Sequence, residues 1–344
     1  MHERRTQGVR QAFTYPKTFR FVRLASPRLA PDAWREYLNA NWAGLTADWV
    51  LPPGVPLDEV RARILQDLPE LLPDFDALVE ALPEWGPARL QALSNWGLVP
   101  FFDRCSIAKS LASGHPTLLR NYDIGVDEHH GLFHFEALPD GHWIIGSAET
   151  GWGFLDGVND RGLAGAIAFG GSFAGGLGWS IPVLMRYMLA NFSTADEAAG
   201  FLERVPHTMC QNFLLVDKDG GSNVVFTSAD RGVTTLRGAT ACANHQDEIR
   251  EQRHAEFCRT VERLEFLEQM GTALTLADMM RPPLYSTLFK ERFGTVYSVE
   301  YDPVLGTAHF AWPEADLLLT PETPETELTV VLSEAEDAAA RLTP

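Results

Sequence analysis

The residues able to do chemistry gather just after position 104. Cys105 opens the stretch CSIAKSLASGHPTLLRNYD, and Arg120, Asn121 and Asp123 follow fifteen to eighteen residues later. A lone cysteine is more often a small buried hydrophobe than a nucleophile. Its neighbours change that reading. CSIAKSLA suits a strand, SGHP a turn and TLLRNYDI a returning strand, so Arg120 and Asp123 can come back beside Cys105. A guanidinium next to a thiol favours the thiolate, because it lowers the cost of the negative charge. A carboxylate there can orient an amine, which matters if Cys105 carries a free α-amino group.

Other candidate constellations carry less. His129, His130 and His134 lie near Glu128 and Glu136 but lack the spacing of a metal-ligand set. The glycines of GGSFAGGLG match neither a phosphate-binding loop nor a dinucleotide fingerprint. They read as a close backbone crossing. No metal or cofactor is expected. His245 is available for a Cys–His pair, yet nothing in the sequence ties it to Cys105 as a base.

The elements that must position these residues come in two textures. The first hundred residues read as mostly helical, broken by prolines. FRFVRL is a short strand, and Trp34, Tyr37, Leu38 and Trp42 recur at helical spacing between about Pro31 and Leu45. After LPPGVP, Asp58 is placed to cap a helix carrying Val60, Ile64, Leu65 and Leu68. Further helices are expected at Phe75–Leu82 and near Ala88–Leu93. From Cys105 on, strands dominate. They include 132–137, 142–147 and both arms of GWGFLDGVNDRGLAGAIAF. Two helices, 180–192 and 194–205, have Ser193 as a cap between them. KDGG joins the strands CQNFLLVD and SNVVFTSA. CANHQ opens the longest helical run, about 246–268, and VYSVEYD, TAHFAW and ELTVVLS return to strand. The acidic stretch 314–336 reads as edge strands with a solvated face.

Composition narrows the function. The chain has 344 residues, with 46 acidic against 28 basic side chains and a formal net charge of −18. Such a surface repels phosphate backbones and anionic membranes, so neither a nucleic-acid nor a membrane partner is expected. The N-terminus has no apolar stretch of signal type, and the expected compartment is the cytoplasm. The four cysteines read as reduced thiols rather than a disulfide framework.

CSIAKSLASGHPTLLRNYD resembles the opening of the choloylglycine hydrolase and penicillin acyltransferase superfamily, which are cysteine N-terminal-nucleophile enzymes acting on linear amides. Ser106 takes the small-hydroxyl position, and Leu119 stands where glycine is common before Arg120. GVNDRGL, from Gly157 to Leu163, is similar to the family's Gly-x-Asn-x-x-Gly-Leu segment, and Ala243–Asn244–His245 to its Asn-His segment. The 104 residues before Cys105 and the stretch LPELLPDFDALVEAL resemble the pro-segment of the acyltransferase-like branch. Arg104 stands where a small residue is expected beside a self-processed bond. The late arginine of the bile-salt branch has no secure counterpart; Arg292 lies in about the right region.

The resemblance implies an α+β fold, a four-layer αββα sandwich with two packed antiparallel sheets. Residues 1–104 would be a pro-segment or α-chain, and 105–344 the catalytic domain. Cys105 would be the nucleophile after cleavage of the Arg104–Cys105 bond, with its own α-amine as general base. Arg120 would polarise the nucleophile, Asp123 would hold the amine, and Asn159 and Asn244 would donate to the oxyanion. The partner would be a small linear amide, with an acceptor amine in the transfer direction. Trp152, Phe154, Phe169, Phe173 and Trp179 would line an acyl pocket or belong to the core. Two alternatives stay open: an enzyme that keeps Cys105 internal, and a non-catalytic binding or structural relative.

Overall fold

The computed structural model describes residues 13–45, 54–98, 104–149 and 151–334. The N-terminal dozen residues, the first half of the proline-rich break and the last two residues of the expected edge-strand stretch lie outside them.

Several strands of the second texture are buried along their whole length. In chain order the strands are β1 (Phe13–Ala25), β2 (Arg104–Ser110), β3 (Thr117–Ile124), β4 (Leu132–Ala137), β5 (Trp143–Glu149), β6 (Gly153–Asn159), β7 (Leu163–Phe169) and β8 (Gln211–Asp217). There follow β9 (Ser222–Ser228), β10 (Gly232–Arg237), β11 (Ala241–Cys242), β12 (Thr287–Leu288), β13 (Phe293–Asp302), β14 (Thr307–Trp312), β15 (Ala315–Leu319) and β16 (Thr326–Glu334). Every residue of β3, β6, β7 and β8 is buried. A strand is covered on both faces only when something packs on each side of its sheet.

Two sheets meet that condition. One runs β10-β9-β8-β7-β6-β5-β4-β1-β16, the other β11-β2-β3-β13-β14-β15 with β12 beside β13. They pack face to face, β2 against β7 and β8, β13 and β14 against β6. The helices are α1 (Pro31–Leu45), α2 (Leu57–Asp67), α3 (Leu72–Ala81), α4 (Pro87–Leu93), α5 (Ile181–Asn191), α6 (Ala195–Leu202), α7 (Gln252–Phe257), α8 (Thr260–Met270) and α9 (Leu276–Met279). α5 and α6 cover the outer face of the larger sheet, while α8 and α9 lie on β2, β3, β11 and β13. The order is αββα, as the resemblance implies. All pairings are antiparallel except β1 with β4. The acidic stretch forms β15 and β16, one edge strand of each sheet.

The N-terminal segment is less separate than its texture suggests. β1 lies between β4 and β16 inside the larger sheet, so residues on both sides of position 105 share one hydrogen-bonded layer. Trp34, Tyr37, Leu38 and Trp42 are all buried, as their spacing predicts. Indole hydrogen bonds tie this segment to the rest. Trp152 Nε1 donates to Leu93 O at 2.6 Å and Trp179 Nε1 to Asp67 Oδ2 at 2.9 Å. These two rings, with Phe154, are core rather than pocket.

Three local expectations are corrected. The cap before α6 is Thr194, which with Glu197 forms a capping box; Ser193 instead donates its hydroxyl to Glu197 at 3.1 Å. α2 begins at Leu57 after Pro56, so Asp58 lies in its first turn and is not its cap. The long run 246–268 is two helices. The chain turns left-handed at Arg259 (φ 52°), and Arg263 Nε takes the Cys258 carbonyl at 2.8 Å. That side chain supplies the helix end with the donor that a continued helix would have supplied.

One buried ion pair bolts helix to sheet. Arg186 of α5 forms a double contact with Glu136 of β4, one bond measuring 2.6 Å, and donates to Trp152 O at 2.9 Å. Its guanidinium lies 4.6 Å from the Trp152 ring. Burial pushes the Glu136 carboxyl up, and Arg186 opposes that shift. Arg186→Met strands the carboxylate and is expected to cost about 3–5 kcal/mol in a urea titration. Arg186→Met with Glu136→Gln should recover part of the loss. A single variant as stable as the parent would show that the pair is not holding the layers.

Candidate active site

The β2–β3 hairpin sets the geometry. Its register pairs Arg104 with Asp123, Cys105 with Tyr122, Ser106 with Asn121 and Ile107 with Arg120. Side chains alternate along a strand, so Cys105, Ile107, Arg120 and Tyr122 share one face. That face points between the two sheets. Arg104, Ser106, Asn121 and Asp123 share the other, beneath α8 and α9.

On the inner face, Arg120 Nη2 lies 3.2 Å from Cys105 Sγ. Arg120 is fully buried, and a buried cation needs a counter-charge. Asp156 of β6, on the opposite sheet, provides it through a short contact to Nη1. Asp156 also accepts from Tyr297 OH at 2.9 Å, Tyr301 OH at 2.6 Å and Ser147 N at 3.3 Å. Burial, followed by the Asp156 charge, holds both tyrosine hydroxyls well above their ordinary pKa. They therefore stay protonated donors.

On the outer face a second buried arginine gathers the polar groups. Arg263 Nη1 donates to Cys105 O and Ser106 Oγ, each at 3.0 Å, and to Asp123 Oδ2 at 3.3 Å. Its Nη2 donates to Asn244 Oδ1 at 2.5 Å. Asn244 Oδ1 also accepts from the Cys105 backbone N at 3.1 Å, and its Nδ2 donates to Phe169 O at 3.3 Å. Asp123 accepts from Thr295 Oγ1 at 2.6 Å. The group on the Cys105 nitrogen is thus Asn244, whereas Asp123 is engaged by Thr295 and Arg263. Asn244 caps no helix, since the next one begins at Gln252.

Cys105, Arg120, Asp123 and Asn244 lie together around the β2–β3 hairpin. Asn159 does not. It closes β6, where its Nδ2 donates to Leu189 O and Phe192 O at 2.8 Å and its Oδ1 accepts from Arg161 N and Leu163 N. Leu163 starts β7, whereas Phe169, the residue touching Asn244, ends it. Six strand steps separate the two ends, about 20 Å. Asn159 builds a turn.

Sequence reasoning missed Arg263 and Asp156. Arg263 had a legible signal. It lies four residues before Leu267 and three after Thr260 on α8, and all three are buried. A charge on a buried helical stripe calls for partners. Asp156 had none, because FLDGVN gives no hint that its carboxylate crosses to the other sheet. The histidine–glutamate group disperses. His129 meets Ser147, His130 meets Glu149, and Glu128 meets Arg292. His245 contacts Thr260 Oγ1 at 2.9 Å.

Comparison with known proteins places the chain in a family. Residues 111–316 fit the family model of acyl-coenzyme A:6-aminopenicillanic acid acyl-transferase. The chain belongs to that family. Acyl transfer to an amine is the chemistry in that family's name. The matched stretch begins just after Cys105. No curated protein matches the sequence. Among solved structures, a conjugated bile acid hydrolase mutant from Clostridium perfringens is similar at 12% identity and TM-score 0.41, over 66% of this chain and 96% of that one. Penicillin V acylase from Agrobacterium tumefaciens gives 14% and 0.43 over 62% and 84%, and a Caenorhabditis elegans N-acylethanolamine-hydrolyzing acid amidase ortholog 13% and 0.43 over 63% and 100%. Among the described residues, no helix is long and apolar enough to cross a membrane.

Asp123 offers a pH test. Burial raises its carboxyl to about 6 from 3.8, against the pull of Arg263. The folded chain then keeps a proton that the unfolded chain has already lost. Stability conferred at this position is present below about pH 4 and falls as pH rises through about 6. Relative to Asp123→Asn, the parent should lose on the order of 3 kcal/mol across that window. Urea titrations at pH 4, 5, 6 and 7 measure it; a constant difference would rule out the raised carboxyl.

Proposed function

We propose that the chain cleaves its own Arg104–Cys105 bond and then works as an amide hydrolase or N-acyltransferase with Cys105 as nucleophile. One observation carries this reading: Cys105 is held at both of its reacting atoms, with Arg120 on the sulfur and Asn244 on the nitrogen. A structural thiol has no need of either.

The steps follow from those contacts. Sγ attacks the Arg104 carbonyl carbon, the C–N bond breaks, and the thiol proton ends on the Cys105 nitrogen. Water then breaks the C–S bond, giving the Arg104 carboxylate and the Cys105 thiol, and the α-amine already freed stays beside Asn244 Oδ1. A free α-amine titrates at about 7.7–8.0, close to neutral pH, so it takes the thiol proton and later gives it to a leaving amine. In turnover Sγ forms a thioester with the acyl group of a small linear amide. Water releases the acid, or an acceptor amine takes the acyl group. Arg120 stabilises the sulfur anion. Arg263 fixes the Cys105 carbonyl and, through Asp123, the hairpin end. After cleavage, residues 13–25 remain paired with β4 and β16, which favours a retained α-chain over a discarded pro-segment.

Intact mass of the purified protein tests this first. Wild type should give two fragments, one beginning at Cys105, while Cys105→Ala stays whole. Arg120→Met should slow cleavage by roughly 100-fold or more. A wild-type chain that remains uncut on prolonged incubation would overturn self-processing.

A further inference from the structure

The residue on the acyl side of the proposed cleavage has a berth of its own. The Arg104 guanidinium lies 4.5 Å from the Phe257 ring centre and 4.6 Å from that of Phe293. The rings are 5.4 Å apart and inclined at 44°. Phe257 ends α7 and Phe293 begins β13, so the slot lies where the helical layer meets the end of the smaller sheet. Arg104 Nη1 donates to Arg292 O at 3.4 Å, and its buried Nε has no hydrogen-bond partner among the described residues. The nearby carboxylates bond to other arginines, Asp123 to Arg263 and Glu128 to Arg292, and reach Arg104 only as longer-range charges. Ring faces therefore hold this guanidinium, and a planar cation over an aromatic face is attracted by the ring quadrupole. Beyond the slot, His254 leads to Phe169 and Phe173 at ring distances of 5.0 and 6.2 Å. Phe173 is 44% exposed, so the aromatic path reaches solvent.

We propose that the Phe257–Phe293 slot is the acyl-side subsite of the site and takes acyl groups ending in a planar, guanidinium-like cation. This rests on Cys105 being the nucleophile. In self-cleavage the Sγ–C bond forms to the Arg104 carbonyl as the C–N bond breaks, so Arg104 is the first acyl group the sulfur carries. In turnover the same Sγ bonds to the substrate carbonyl carbon, and the amine leaves with a proton from the Cys105 ammonium. Water then breaks the C–S bond, giving the acid and the thiol. Both thioesters extend an acyl chain from one sulfur. Once Arg104 withdraws as a new C-terminus, the slot that seated it is open to the next.

The test compares aminomethylcoumarin amides of 5-guanidinopentanoic acid, which is the arginine acyl chain without its amine, and of heptanoic acid. Wild type should prefer the guanidino amide in kcat/KM by roughly tenfold. Phe257→Leu and Phe293→Leu should bring the ratio towards one. A variant that merely folds poorly lowers both rates together and leaves the ratio alone, and thermal unfolding checks the fold. A cut chain that hydrolyses both amides equally, or keeps its preference in both variants, overturns the slot and leaves Cys105 catalysis standing. An uncut chain that hydrolyses neither overturns the nucleophile reading, and the slot with it.

Discussion

Arg120 is a full positive charge placed between two sheets with no access to water. Leaving such a charge unpaired costs several kcal/mol, and the architecture around it satisfies that demand. Asp156 reaches over from the larger sheet, while Tyr297 and Tyr301 rise from β13 to share its carboxylate. Cys105 lies on the remaining side of the guanidinium. The sheet-to-sheet alignment and the thiol's electrostatic setting are therefore one problem with one solution. A slip of β2 on β3 by a single residue would turn Cys105 to the other face and away from the arginine.

The hairpin is gripped from its second face by Arg263. That side chain links Cys105 O, Ser106, Asp123, Asn244 and the end of α7. Two buried arginines thus clamp one strand pair, one controlling the sulfur and the other the backbone. The break between α7 and α8 belongs to this device, since Arg263 reaches the Cys258 carbonyl only because the helix stops there. The N-terminal segment is built into the same structure. β1 runs inside the larger sheet, and its removal would open the seam between β4 and β16.

Much of this was legible from residue order. The SGHP and KDGG turns marked the hairpins, and the spacing of Trp34, Tyr37, Leu38 and Trp42 marked a buried helical face. Arg120 beside Cys105 followed from a strand out and a strand back, because antiparallel pairing across a short turn is a local rule. Asn159 failed for an instructive reason. Its segment matched a family pattern, but the same Asn-before-Asp-and-Gly chemistry also builds a tight turn, and a motif does not say which end of a strand faces the site.

Residue order alone carried the local elements and the closeness of Cys105 to Arg120, since these depend on near neighbours and short turns, whereas the split of Arg120 and Asp123 onto opposite faces came from the strand register. That Asp156 neutralises Arg120, that Arg263 binds Cys105 and Asn244, and that β1 joins the larger sheet was settled only by the tertiary structure. Those contacts join residues from 19 to 321 positions apart. No local preference specifies which distant partner a buried charge will meet. That choice is made when the two sheets close and the buried charges must meet counter-charges.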